Sequence, residues 1–224
     1  MIQALKQIER PKSLSETAAH YIRQAITKGK FGLGQPISES ALTASLGISK
    51  TPVREALAQL KMEGLVNILP QKGTFVFTLS EQEVVEICEL RFTLECTALK
   101  YAVERNNEEF IIKMEKIVTH MNDAKKNNKP GKYLDLDTDF HALFFKLCGN
   151  LYLENAYRLI AARVEAMRTH LSAVPRHTDK SFREHGDMLH YLKVNNIKKT
   201  LAILDRHITR TKDSAAVHIP KYRI

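Results

Sequence analysis

Apolar residues recur at helical spacing in two long stretches of the chain, separated by a short segment that reads as β-structure. Between residues 14 and 26 they fall at Leu14, Ala18, Ala19, Ile22, Ala25 and Ile26, the period of a helix with one buried face. "KGKFGLGQP" then interrupts the pattern with three glycines and a proline. Ser38 is placed to cap a second short helix over 39–46, which stops at Gly47. A third helix is predicted from Thr51 as N-cap, with Pro52 at the first helical position, where its missing N–H would be unpaired in any case. It runs to about residue 63 and ends at Gly64. The pattern then changes: β-rich runs at 65–69 and 74–78 flank Pro70 to Gly73 and predict a two-stranded hairpin. Three helices followed by a hairpin is the order of a winged helix-turn-helix.

Beyond Ser80 the helical period returns in segments 81–104, 108–126, 132–148, 151–171, 180–194 and 197–216. The breaks "RNN", "NNKPG", "GN", "AVPRHT" and "NN" carry the Asn, Gly and Pro expected of turns. The fold class is therefore mainly α: an N-terminal winged helix-turn-helix over 1–78, followed by an antiparallel all-α bundle over 79–224. No internal repeat of solenoid period is present. No apolar run approaches the roughly 18 residues that a membrane-spanning helix needs.

Charge adds a partner to this outline. The 224 residues carry a formal net charge of +9, and residues 1–78 hold ten Lys/Arg against five Asp/Glu. The predicted winged domain is thus the more basic part per residue, which suits a polyanion. A membrane surface fits less well, because no basic amphipathic helix with bulky apolar anchors is present. The three cysteines, Cys88, Cys96 and Cys148, are an odd number with no apolar signal stretch before them, and predict a reducing, cytoplasmic setting.

A helix reads DNA when its first turn carries donors into the major groove while the preceding helix crosses the backbone. Ser49, Lys50, Thr51 and Arg54 occupy that turn, and Arg54 is long enough for a bidentate contact with a guanine edge. Lys72, Gly73 and Thr74 form the hairpin tip, a basic turn suited to the backbone or minor groove. Positive charge at a helix N-terminus opposes the macrodipole, so Lys50 and Arg54 need another reason to be there. Val53, Ala56, Leu57 and Leu60 form the opposite, core-facing stripe.

"SESALTASLGISKTPVREALAQLKMEGLV" followed by "QKGTFV" resembles the DNA-binding domain of the GntR superfamily of bacterial transcription regulators. The helical remainder is similar to the effector domain of its FadR branch, of FCD type. The resemblance implies a homodimer on palindromic double-stranded operator DNA, released when a small metabolite binds the C-terminal domain, and most simply a repressor. It puts Lys50 and Arg54 at base- or phosphate-contacting positions and Gly73 at the wing glycine. Two departures stand out: Ser40 replaces an arginine common on the second helix, and Lys50 replaces an arginine common at the recognition turn. A lysine lacks the fork geometry of arginine, so the preferred operator is expected to differ from that of relatives.

The second candidate site lies in the bundle. In "YLDLDTDFHALFFKLCGN", Asp137 and His141 are four residues apart and share one helix face, beside the apolar stripe Leu136, Phe140, Leu143 and Leu147. His185 lies with Phe182, Leu189 and Leu192, and His207 with Leu204 and Ile208. Both are eleven residues from the turn at Asn196, which in an antiparallel helical pair brings them to the same height. One aspartate and three inward histidines suit a divalent metal, zinc, nickel or manganese, with open positions for water or a ligand carboxylate. The resemblance implies the same set, since the FadR branch includes a metal-binding subgroup with this pattern. Arg91 and Glu95, four apart on the first long helix, read either as an ordinary ion pair or as a cavity wall in which Arg91 receives an effector carboxylate. The expected effector is a small organic acid.

The alternative is a metal-dependent hydrolase at the Asp/His site. It lacks an evident inward Glu or His as general base, and it leaves the first 78 residues without a purpose. On the regulator reading, a homodimer places its recognition helices about 34 Å apart, and residues 79–81 form the hinge through which an effector disturbs that spacing.

Overall fold

A computed structural model describes residues 13–219. The ends of the two expected domain ranges, 1–12 and 220–224, lie outside the described residues. Helix α1 spans Leu14–Thr27, and its start is set by a capping box between Ser13 and Glu16. Strand β1, Pro36–Ile37, precedes α2, Glu39–Leu46, which Ser38 caps through the Ala41 N–H and Gly47 ends in the left-handed conformation. Helix α3 covers Lys50–Met62. Its N-cap is Ser49, not Thr51, so the helix begins earlier than Pro52 alone suggests and Pro52 sits inside the first turn.

Strands β2, Val66–Leu69, and β3, Gly73–Val76, form the expected hairpin. Its first strand begins one residue later than expected, and its second begins one residue earlier and ends two earlier. The two-residue β1 pairs with β3, giving a three-stranded antiparallel sheet of order β1-β3-β2 that the hairpin pattern did not disclose. A two-residue strand has no periodicity to read; it exists because the edge of β3 offers it a partner. Ala19, Ile22, Val53, Leu57, Leu60 and Val76 fill the core of this unit.

Helix α4 runs from Glu81 to Lys126 and is capped by a Ser80–Glu83 box. The break expected at "RNN" is a kink rather than a gap: Asn106 leaves the helical region at φ −142°, ψ 35°. The kink has identifiable partners. Asn106 Nδ2 donates to the Leu147 carbonyl at 2.7 Å, and Arg105 Nη1 donates to the carbonyls of Cys148 and Gly149. Together they satisfy the carbonyl end of α5, Pro130–Leu147, whose last groups have no helical partners of their own. Helices α6, Leu151–Leu171, α7, His177–Lys193, and α8, Ile197–His218, complete the bundle.

The two units touch through α1 and α6. Thr169 donates to the Thr27 carbonyl at 2.7 Å, and Lys28 reaches Asp135 at 2.6 Å and Glu165 at 2.9 Å. Gly64, just past the end of α3 at φ +69°, lies so close to Arg163 that a Cβ there would sit 3.2 Å from the guanidinium carbon. No helix among the described residues is long and apolar enough to cross a membrane.

Candidate nucleic-acid interface and metal centre

In the N-terminal unit, Ser49, Lys50, Thr51 and Arg54 are all exposed at the start of α3. Ser49 makes no side-chain capping bond, which leaves its hydroxyl available for another acceptor or donor. Arg54 Nε donates to Glu39 at 2.8 Å across the gap from α2. This contact steadies the long side chain by its inner nitrogen while both outer nitrogens remain for a bidentate contact. Glu39, the partner of Arg54, is a residue that the sequence did not single out. At the wing, Lys72 and Gly73 are exposed, and Gly73 has φ +104°, a value that favours glycine. Thr74 differs from the expected exposed tip: its side chain is buried, opposite Ile37 and Ile68 in the sheet register, and does not join Lys72 and Gly73 on the surface. The strand begins at Gly73, so alternation turns the next side chain inward.

In the bundle, the three histidines converge. Ligating atoms of His141, His185 and His207 lie within 4.8 Å of one another, and all three residues are buried. The His185 and His207 ring centroids are 4.9 Å apart, so the equal spacing from the α7–α8 turn does place them at one height. Asp137 stands at the edge of this group, with Oδ1 3.7 Å from His185 Nε2.

Two of the three histidines are backed by a carboxylate, and each carboxylate of the centre lies beside an arginine. His141 Nδ1 donates to Glu95 at 2.9 Å, and Arg91 Nε donates to the same carboxylate at 2.6 Å. His207 Nδ1 donates to Glu184 at 2.9 Å, and Arg210 Nη2 meets that oxygen at 2.7 Å. Asp137, beside His185, has Arg168 Nε at 3.1 Å from its other oxygen. Carboxylates on Nδ1 fix the tautomer and leave Nε2 of His141 and His207 as lone-pair donors. Arg91 Nη2 donates to His141 Nε2 at 3.2 Å, so the guanidinium occupies that lone pair and must move aside for an ion to bind the ring.

Burial, followed by the charges of Arg91 and Arg168, holds the His141 imidazolium well below its usual range. Burial pushes His185 down to about 3, against the opposing pull of Asp137, and lowers His207 despite Glu184. All three are therefore neutral near pH 7, the form a metal requires. Burial acts to raise the Asp137 carboxyl, but Arg168 and then the histidines reverse this and hold it well below the usual carboxylate range. Burial likewise opposes ionisation of Glu184, while its bonds from His207 and Arg210 bring it down to about 2.

The residues fit a divalent ion on a further observation. Both nitrogens of His185 and Nε2 of His207 are buried without a hydrogen-bond partner, an arrangement that costs about 1–3 kcal/mol per group unless something occupies them. The cavity beside them, lined by Tyr133, Asp137, Arg168, His177, Ser181 and His207 among others, has room for about 10 Å³, roughly one water. A wider groove of about 940 Å³ lies elsewhere, between α1, the end of α3 and α6, and has no histidine cluster.

Glu184, Arg168 and Arg210 escaped the sequence reading, which also found no inward glutamate beside the metal set. Glu95 and Glu184 are both inward, and each is already held by an arginine and a histidine. A signal existed: Arg168 falls on the stripe of Val164 and Leu171, and Glu184 on that of Ser181 and Met188, where an unpaired charge would be expensive. His177 is buried, with its Nδ1 3.2 Å from Arg210 Nη1.

An exposed basic recognition turn and wing, joined to an all-helical bundle with a histidine centre, define a winged-helix transcription regulator. Residues 14–76 match the family described as bacterial regulatory proteins, gntR family, and residues 86–210 match the FCD domain. The chain belongs to the gntR family of bacterial regulators, with the FadR-type FCD architecture. It is 26% identical over 176 residues to the uncharacterized HTH-type transcriptional regulator YdhC of Bacillus subtilis (strain 168), covering 78% of this chain and 79% of that one. It is 22% identical over 212 residues to the HTH-type transcriptional repressor RspR of Escherichia coli (strain K12), covering 93% and 91%. Among solved structures, E. coli McbR/YncC shares the fold at a TM-score of 0.77 with 18% identity, over 92% of this chain and 98% of that one. The family and the relatives YdhC and RspR are transcription regulators, so the hydrolase alternative is set aside.

Proposed function

We propose that this transcription regulator is a cytoplasmic, metabolite-responsive repressor that binds a palindromic operator as a homodimer, with a small carboxylate effector held at a divalent metal in the C-terminal domain. The observation that carries the reading is the buried convergence of His141, His185 and His207, with orphaned ring nitrogens, beside the ionised Asp137. These four residues would hold the ion, which supplies a Lewis acid for an oxyanion. Arg91 supplies a second contact for the same group. The functional units are 1–78 for DNA and 79–224 for effector and dimer contacts. On DNA, Arg54 reads a base edge, Ser49, Lys50 and Thr51 hold the backbone or bases, and Lys72 with Gly73 approaches from the wing. Repressor names among the relatives support the sign of regulation.

A cavity sized for one water must widen to admit an organic acid, and this couples occupancy to helix packing. Asp137 and Asp135 share α5, and Arg168 and Thr169 share α6, so the elements that line the site also carry the contacts to α1. An effector shifts the two arrangements only by its difference in affinity for them. Residues 79–81 would serve as the hinge.

Metal content of the purified chain, measured beside Asp137→Ala and His185→Ala, tests the site. About one divalent ion per chain, lost in both variants, is expected. Undiminished metal in both variants would move the centre elsewhere. For the DNA end, Arg54→Ala should weaken operator affinity by about 10-fold or more, in line with ~1–3 kcal/mol per bidentate base contact. Unchanged affinity would remove Arg54 from the reading turn.

A further inference from the structure

Charge in the histidine centre is balanced before any ion enters. Around the three neutral imidazoles the described residues place Arg91, Arg168 and Arg210 against Glu95, Asp137 and Glu184, three positive groups and three negative ones, while Arg206, 3.8 Å from Glu184, keeps 62% of its side chain in solvent, where its charge is screened. Arg91 and Glu95 are fully buried, and Asp137, Arg168 and Glu184 nearly so. Arg210 is the most open of the six, with 19% of its side chain exposed. A divalent ion on the histidines therefore adds two positive charges that no side chain of the centre offsets. Uncompensated charge in such surroundings is costly, so it must be met by something that arrives with the ion or after it.

Two guanidinium groups show where that compensation would sit. Arg91 Nη1 is fully buried without a partner, although its sister nitrogens donate to Glu95 and to His141 Nε2. Arg168 Nη1 is also buried without a partner, and its Nε, though 3.1 Å from Asp137, is not aligned for a hydrogen bond. Only its Nη2 is bonded, to Thr138 Oγ1 at 3.2 Å. The two arginines come from different helices, α4 and α6. The centre thus offers two separate spare donor groups and an excess of two positive charges once an ion is bound.

We infer that the effector is a dianion, a small diacid whose two acidic groups are divided between the metal with Arg91 and the donor group of Arg168. This rests on the reading of the histidine centre as a metal-held carboxylate site. It adds Arg168 as the residue that sets the preference for two charges over one. A monoacid would leave one positive charge and one buried guanidinium N–H unanswered.

Calorimetric titration of the full-length chain loaded with one equivalent of zinc tests this directly. Malonate, succinate and malate would each be titrated beside their monoamides, which keep the shape and remove one charge. At least one diacid is expected to bind tenfold or more tighter than its own monoamide. Arg168→Gln should remove most of that advantage while zinc content stays at the wild-type level, and Arg168→Lys, which keeps the charge, should retain it. Ratios below tenfold in every pair would overturn the inference and leave the metal–carboxylate reading standing. A zinc-loaded chain that binds none of the acids, or a chain that binds no zinc, would overturn both. The diacid-to-monoamide ratio in the unsubstituted chain decides the matter even where Arg168→Gln does not fold.

Discussion

Replacing Glu95 by Gln should destabilise the metal-free chain far more than its small change in shape suggests. Glu95 is wholly buried, takes the Arg91 Nε–H at 2.6 Å on one oxygen and the His141 Nδ1–H at 2.9 Å on the other. Glutamine keeps the volume but has one acceptor for two donors, and its NH₂ must face one of them. More important, Arg91 would remain charged with its direct counter-charge gone. Charge centres on the order of 4 Å apart interact by about 4 kcal/mol at an effective dielectric of 20. Breaking one side of a buried pair costs ~3–5 kcal/mol by a separate route of reasoning. Against a total of about 5–15 kcal/mol for a folded domain, that is a large fraction. At roughly 2–4 °C per kcal/mol for a chain of this size, the melting point should fall by about 10 °C. Circular dichroism melts and urea titrations of chelator-treated protein would measure it. Arg91→Met combined with Glu95→Leu removes both charges and should come back to within about 2 kcal/mol of wild type, since apolar replacements of buried pairs are often near neutral. A loss below about 1 kcal/mol for Glu95→Gln, or a double variant as unstable as the single one, would refute the burial argument.

Acid should unfold the metal-free bundle early. His185 titrates at 6.5 when unfolded and about 3 when folded, so its neutral form contributes stability that is complete above pH 6.5 and is lost as pH falls toward 3. Glu184, down at about 2 from 4.5, acts in the same direction at lower pH. The expected loss is a few kcal/mol between about pH 6.5 and 3, and a urea midpoint that stays flat across that window would contradict it. At the ends of α2 and α3, Gly47→Ala and Gly64→Ala should each cost about 1–2 kcal/mol, because both glycines are left-handed, at φ +65° and +69°. A Gly64→Ala cost below about 0.5 kcal/mol in the same melts would show that the end of α3 relaxes freely away from Arg163.

Much of this protein was determined by its sequence alone. The helices follow from local periodicity and from stop signals such as Gly47 and the Asn195–Asn196 turn, which act over a few residues and need no knowledge of the fold. The exposed basic turn at the start of α3 was legible for the same reason: Lys50 and Arg54 oppose their own helix dipole, and that cost is local. Even the meeting of His185 and His207 could be read, because equal distances from one turn are a property of a single helical pair. Tertiary structure decided the rest. The pairing of Arg168 with Asp137 joins α6 to α5, and Thr74 is turned inward by a strand register set partly by β1, two residues too short to show a period. The orphaned nitrogens of Arg91, Arg168 and His185, on which the proposed chemistry rests, exist only where five helices, α4 to α8, close around a common point. A sequence states which groups carry charge; only packing decides which of them are left without a partner.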